Sequence, residues 1–403
     1  MFLTFTNTLS ASFIWGVNTL LLLDAGLSNF EAFVVNAFYS VGLLLFEVPT
    51  GIVADTLGRQ ASYLIGTVVL VFTTLAYIFL WEMSAPFSLW CLVSLFLGLG
   101  FTFFSGAVEA WLVDALNFTN FKGDLEDIFA KGQISNGIAM LTGSAAGGFV
   151  AQLGNLGTPY FVRSGVLILS GLLAFIFMKD LGFEKRKITN LKKELKNHFS
   201  ESVEYGLKRT SVRWVMLVSP FIMGVGFYSF YAAQPYLLEL YGDKEAYGVA
   251  GLAAALVALS QIFGGLIVPS LRKAFSKRSQ VMSLCVVMGS ISLACLYFQP
   301  TFWFALLAIS IWGVTFSALA PVKQAYINHC LPSDKRATIL SFDGLMGSVG
   351  GVTFQPGLGR VADVYNYGTS FFIGGIIQLG ALPFVYLAAK ANPDANDLKG
   401  GNR

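Results

Sequence analysis

The stretch Gly51-Ile52-Val53-Ala54-Asp55-Thr56-Leu57-Gly58-Arg59-Gln60 is a short polar interruption between two apolar runs, 31–54 and 61–81. Each run is about as long as the roughly 20 residues a helix needs to cross a bilayer. Working outward, the same pattern repeats along the chain. Cutting at charges and at Gly/Pro/Asn turns gives twelve spans: 6–27, 31–54, 61–81, 87–112, 128–152, 160–180, 214–240, 246–271, 280–298, 302–328, 337–358 and 368–390. Short alternating segments of the kind that build a membrane β-barrel do not occur.

Composition agrees. Over 403 residues, 55% are hydrophobic and only 12% charged, about half the share of a soluble chain; the mean hydropathy is +0.67. This excludes a soluble enzyme, a nucleic-acid binder and a disordered protein. The 42 Gly suit helices packed closely in lipid. Cys91, Cys285, Cys295 and Cys330 lie in or beside apolar runs and read as small core residues rather than a disulfide framework. The N-terminus has no basic segment before its first apolar run, so it reads as the first helix.

The one long polar segment, 181–213, divides the spans six and six. From Lys179 to Arg213 it holds ten basic and five acidic residues, and Leu191, Leu195, Phe199, Val203 and Leu207 recur every fourth position. That spacing predicts an amphipathic helix on the membrane surface or against the bundle, as a solvated linker or a regulatory element. The expected organisation is an N-terminal six-helix bundle (1–182), a linker (183–213), a C-terminal six-helix bundle (214–391) and a tail (392–403). With both termini and the linker cytoplasmic, every Lys and Arg except Arg163, Lys244, Arg360 and Lys323 falls on the inner side, as the positive-inside rule requires. Arg163, Arg360 and Asp363 are then expected at the outer face, guarding its closure.

The halves resemble one another. Glu109 precedes Asp114 by five, and Lys323 precedes Asn328 by five. Each pair leads into a span with a Gly-Ser step, Gly143-Ser144 with Gly147-Gly148 and Gly347-Ser348 with Gly350-Gly351. Parallel repeats of six helices are a transporter architecture.

The 51–60 loop resembles the signature loop of the major facilitator superfamily in its G-x-x-A-D-x-x-G-R form, placed as in that family after span two. The resemblance covers about residues 1–390 and implies two six-helix bundles around a central cavity lined by spans one, four, seven and ten. Gly51 would allow close helix approach and Gly58 a tight turn. The resemblance implies that Asp55 caps the eleventh helix near Ala337 and that Arg59 pairs with Asp114, so that Gly51, Asp55, Gly58, Arg59 and Asp114 latch the cytoplasmic side. Thr56 and Gln60 replace residues that are basic in many members. Gly143, Ser144, Gly147 and Gly148 resemble the antiporter motif with Ser144 in place of Pro, or serve generic helix packing. Pro332 to Phe342 resembles the loop before the eleventh helix of drug-exporter-like members. The family's fourth-helix Arg motif is absent, and Glu109 occupies that region.

Ionisable side chains inside a bilayer are costly, which singles out Glu47, Glu109, Lys323 and Asp343 as candidates for proton or charge coupling. Glu109 and Lys323 occupy related positions and are expected to form a state-dependent pair, or else a static bridge. Glu47 is a proton carrier or a structural acid; Asp343, seven residues after Arg336, is expected to partner that arginine. Trp15, Asn18, Tyr228, Tyr231, Gln234, Gln261 and Gln355 are candidate cavity residues, with helix packing as the alternative for the aromatic rows. No nucleotide loop, metal cluster, catalytic triad or cofactor motif stands out in the sequence. The expected function is secondary active transport, not catalysis: proton-coupled export of a small amphipathic compound by alternating access, by a monomer in the plasma membrane. The alternatives are uptake of a small metabolite by proton symport, and a non-transporting receptor or scaffold on the same fold.

Overall fold

The computed structural model describes residues 2–119, 121–123, 125–183, 185, 196, 200–298, 300–332 and 335–398, without the side chains of 125–127, 130 and 337. Among these residues the chain is helical and contains no strand. Nine stretches are long and apolar enough to cross a membrane: Asn29–Leu57, Arg59–Glu82, Phe87–Phe118, Thr158–Phe177, Thr210–Tyr241, Tyr247–Ala274, Arg278–Phe298, Phe302–Cys330 and Tyr367–Ala391. The other three expected spans are also helical. Two are single 29-residue helices, Leu125–Leu153 and Arg336–Val364, diluted by Gly, Ser and charged residues. The first is split into Phe2–Ser12 and Asn18–Asp24.

That split has a counterpart at Phe103–Gly106, between Phe87–Thr102 and Ala107–Phe118, where Gly106 takes φ +67°. A third break, at Leu217 and Val218, separates Thr210–Met216 from Ser219–Tyr241. A broken helix frees backbone groups that lipid cannot satisfy. In the first break they are re-used locally: Trp15 N–H donates to Ser12 O (3.1 Å) and Val17 N–H to Ile14 O (3.1 Å). The breaks fall in spans one, four and seven, three of the four that the family resemblance assigns to the cavity.

Two compact units emerge. Unit 1 comprises Met1–Leu27, Phe38–Leu195 and Asp243–Ala255; unit 2 comprises Ser28–Ala37, Lys196–Gly242 and Leu256–Arg403. The first turns of Asn29–Leu57 are thus grouped with unit 2, and those of Tyr247–Ala274 with unit 1.

Each unit repeats the same packing device. In unit 1 a Cβ on Gly147 would overlap the Phe13 carbonyl, and one on Gly42 the Leu95 carbonyl; in unit 2 the pairs are Gly350 with the Pro220 carbonyl and Gly264 with the Val314 carbonyl. Backbones this close gain dispersion contacts over their whole length. Gly143 and Gly148 extend the unit 1 stripe: a Cβ on Gly143 would overlap Ser12 Oγ, and one on Gly148 would lie 2.5 Å from Gly251 Cα. Ser144 between them is fully buried. Gly51 behaves differently. A Cβ there meets nothing within 4 Å, so the close approach expected of Gly51 is not found, because its face of the helix is open.

Of the linker stripe, Leu191, Leu195 and Phe199 lie outside the described residues. Its end is seated in unit 2: Val203–Lys208 forms a π-helix turn, Gly206 faces Met216 and Phe342, and Glu201 pairs with Lys335 at 3.3 Å. Cys91, Cys285 and Cys330 are buried and Cys295 half-buried, all as free thiols.

Candidate functional site

The 51–60 loop of unit 1 is built around Gly58, whose φ of +112° lets the chain leave Asn29–Leu57 and start Arg59–Glu82 without a linker. Arg59 Nη1 donates to Asp55 Oδ1 at 2.7 Å, and its Nε lies 3.9 Å from Asp114 Oδ2. The guanidinium also stands over the Phe183 ring, 5.7 Å from its centroid, a cation–π contact. The expected Asp55–Arg59–Asp114 cluster is therefore assembled, with the nearer acid being Asp55. The start of the helix near Ala337, the expected cap partner of Asp55, belongs to unit 2.

Sequence reasoning missed the acid that fixes this turn. Asp180 Oδ1 accepts the Gln60 N–H at 3.0 Å, on the positive end of a helix dipole, and its Oδ2 fills the space where a Gly58 Cβ would stand. Gln60 itself donates through Nε2 to Ala174 O (3.0 Å) and Phe175 O (2.9 Å), satisfying carbonyls left open at the end of Thr158–Phe177. Where the family resemblance implies a basic residue, a neutral amide here performs a capping task. Thr56 turns inward on its own helix, to Ile52 O at 2.9 Å. The one sequence signal for Asp180 was an acid flanked by a helix end and Gly182, which has φ +71°.

The acids of unit 1 gather near the break in the fourth span. Ser105 Oγ donates to Glu47 Oε1 at 2.7 Å. Glu109, exposed, stands in the first turn of Ala107–Phe118, where its charge complements the dipole.

Unit 2 holds a buried charge cluster. Lys323 Nζ lies 2.6 Å from Asp343 Oδ2 and donates to Ser219 Oγ, which in turn donates to Asp343 Oδ1 at 2.6 Å. Lys323, Asp343 and Ser219 are 3%, 8% and 1% exposed, and Val322, Ile222, Ile339 and Phe342 belong to the surrounding apolar core. The three residues come from Phe302–Cys330, Arg336–Val364 and the first position of Ser219–Tyr241. This corrects two expectations. The acid that Lys323 reaches is Asp343 on a helix of its own unit, rather than Glu109, and Asp343 faces Lys323 rather than Arg336. In both cases a contact across helices wins over sequence spacing, because a buried charge must find an opposite one within a few ångströms.

The expected cavity residues divide. Trp15, Tyr231 and Gln261 are half-buried, and Trp15 sits within the first break. Tyr228 is wholly buried, 4.6 Å from the Phe33 ring and 5.8 Å from Phe371, so it packs unit 2 instead of lining an open pocket. Asn18 is buried and accepts from Tyr160 Oη at 3.1 Å. Gln234 and Gln355 are buried as well, and Gln355 Nε2 donates to Gly351 O at 3.2 Å. Arg163, expected at the outer face, is 2% exposed and stands 5.6 Å from the Phe101 centroid in the interior of unit 1. Arg360 is exposed and Asp363 half-buried.

The family model described as Major Facilitator Superfamily matches residues 1–272 and, in a second overlapping match, 216–402. The chain belongs to the major facilitator superfamily. It is 23% identical over 368 residues to "Multidrug resistance protein 2" of Bacillus subtilis (strain 168), covering 89% of this chain and 86% of that protein. It is 20% identical over 378 residues to an uncharacterised transporter of the superfamily from Methanocaldococcus jannaschii, covering 93% of each. Among solved structures, the nucleoside transporter NupG matches with a TM-score of 0.78 at 12% identity, over 96% of this chain and 97% of that one. A D-xylose-proton symporter matches with a TM-score of 0.73 at 16% identity, over 100% and 97%. At such identities the structural likeness establishes the fold. Family and apolar helices together make this an integral, multi-pass membrane protein of a transporter family.

Proposed function

We propose that the protein is a secondary active transporter, working as a monomer in the plasma membrane, that exports a small amphipathic compound in exchange for protons by alternating access. The observation that carries the coupling is the Lys323–Asp343–Ser219 cluster. An ion pair this deeply buried is stable only while both charges persist. A proton delivered to Asp343 would leave Lys323 unmatched among apolar side chains, so proton arrival would force rearrangement of Phe302–Cys330 and Arg336–Val364 against Ser219. Glu47 and Glu109 flank the break in the fourth span of unit 1 and are a second acidic locus, suited to attracting a cationic head group or relaying the proton. Trp15 in unit 1 and Tyr231 and Gln261 in unit 2, all half-buried, are the candidate substrate contacts, aromatic and polar in the mix that such a compound needs. Export, rather than uptake, is favoured by the relative named for multidrug resistance, which the chain matches over most of both lengths.

Proteoliposomes loaded with a pH-sensitive dye, given lipophilic cations and neutral amphiphiles from outside, test this reading. Exchange drives protons out and raises the luminal pH; symport lowers it, which would establish uptake instead. Asp343→Asn should abolish the pH change while leaving ligand-induced thermal stabilisation measurable. A substrate-driven signal undiminished in Asp343→Asn would remove the cluster from coupling. Stabilising ligands without flux of any kind would favour a receptor or scaffold.

A further inference from the structure

The sequence reads the chain after the last span as a separate tail, 392–403. Its described part, Asn392–Leu398, is instead built into unit 2. Pro393–Asn396 forms a short helical turn that packs on the end of Phe302–Cys330. Asn392 starts the turn: its Oδ1 accepts the Ala395 N–H at 3.0 Å, and its Nδ2 donates to Cys330 Sγ at 3.5 Å. Cys330 is the last residue of the helix that carries Lys323.

Beyond the turn the segment is stitched to the connection between Tyr247–Ala274 and Arg278–Cys295. Asn396 Oδ1 accepts the Ser279 N–H at 2.8 Å, one of the donors that a helix start leaves open. Arg278 Nη1 donates to Ala395 O and, at 3.0 Å, to Asp397 O. Lys277 and Asp397 pair as an antiparallel bridge, and Leu398 N–H donates to Ser276 O at 2.9 Å. The segment therefore ties the end of one helix of unit 2 to the start of another.

The helix held in this way carries the buried charge. Lys323, Tyr326 and Cys330 stand at i, i+3 and i+7, along one side of Phe302–Cys330. Lys323 reaches Asp343 and Ser219, Tyr326 Oη donates to Ala388 O at 2.6 Å, and Cys330 meets Asn392. A shift of this helix that parts Lys323 from Asp343 must also pull its end from the docked segment. The docking itself is light. Pro393, Asp394 and Asp397 are exposed and Leu398 is half-buried, so within Pro393–Leu398 only Ala395 and Asn396 are buried. Hydrogen bonds hold it rather than a large apolar contact. On the receiving side Ser276 and Lys277 are exposed, where water can replace such bonds at small net cost.

We propose that Asn392–Leu398 is an autoinhibitory brace. Docked, it holds the end of Phe302–Cys330 and restrains the parting of Lys323 and Asp343; undocked, it frees that helix to move. The proposal rests on the coupling role given above to Lys323 and Asp343 and adds the element that governs how readily they part.

Cys330, 3% exposed and bonded to Asn392, supplies the readout. In full-length protein with Cys91, Cys285 and Cys295 replaced by alanine, its modification by N-ethylmaleimide in detergent should be slow. Asn396→Ala should speed it by roughly fivefold, the scale of one lost hydrogen bond. Asn396→Asp keeps an acceptor for the Ser279 N–H and should return it to near the parent rate. Asp343→Asn should speed it as well, because two restraints on one helix are linked and the linkage is reciprocal. An unchanged rate in folded Asn396→Ala overturns the docking role. A rate raised in Asn396→Ala and unchanged in Asp343→Asn overturns the restraint on the ion pair and leaves a local cap. If Asn396→Ala fails to fold, Arg278→Ala decides in the same way, because it removes the bonds to Ala395 and Asp397. Substrate-driven pH change in proteoliposomes should be faster in Asn396→Ala than in the parent; a rate no faster, with Cys330 more reactive, overturns the inhibition. The thiol readout needs no substrate: linked labelling without flux in any variant leaves the restraint standing and removes the transporter reading, and flux with unchanged labelling does the reverse.

Discussion

Single residues decide more here than their number suggests. At Gly58 a side chain faces two obstacles, a φ of +112° and the Asp180 carboxylate in the Cβ position. Gly58→Ala should therefore lower stability by about 1–3 kcal/mol, read as a fall in the melting midpoint in detergent. Combining it with Asp180→Ala should cost less than the sum of the two, since the clash is counted twice. Gly51→Ala, into open space, should leave the midpoint unchanged within error. Lys323→Ala strands Asp343 in an apolar core and should cost about 3–5 kcal/mol. The double variant Lys323→Met/Asp343→Leu should recover most of that stability while losing coupled transport. The loop motif at 51–60 and the intramembrane Lys323 and Asp343 were readable as residues. Their partners Asp180 and Ser219 were not, because an acid after a helix end and a serine beside a proline carry no sequence signal of what they face.

Among elements, the glycine stripes set how closely helices pack. Gly147 and Gly350 occupy equivalent places in the two units, each against a carbonyl of the first helix of its half. Gly147→Leu and Gly350→Leu should each destabilise by about 1–3 kcal/mol or more, and the two penalties should be nearly additive because the sites share no partner. Midpoints of the two single variants and the double variant give the answer. The Gly-Ser steps were visible as a repeat in the sequence, and the structure gives them a packing role in both units. Helix breaks at Phe13–Val17 and Phe103–Gly106 were not legible. Hydropathy averages over a span and does not register a local change from i→i+4 to i→i+3 bonding, which in the first break is satisfied by Trp15 and Val17.

For the whole molecule, charge distribution predicts orientation. The twelve-span expectation puts both termini and the 183–213 linker on one side, and the positive-inside rule predicts that this side is the cytoplasm. Single cysteines at Lys185 and at the C-terminus should react with an impermeant maleimide in inverted vesicles and not in intact cells. One at Lys244 should show the opposite pattern. Labelling of Lys185 and Lys244 from the same side would refute the twelve-span topology. By itself the sequence determined that this is a helical membrane protein with a six-plus-six organisation of apolar runs and a superfamily loop, because hydropathy, charge sidedness and a dense motif are properties of the chain read in order. Only the tertiary structure decided that Lys323 finds Asp343 and Ser219, that Asp180 fills the Gly58 turn, and that Asp363 caps Asn29–Leu57. Those pairings join residues as far as 334 positions apart, and a buried charge or an orphaned N–H is satisfied by what lies within about 3 Å, a distance that sequence separation does not encode.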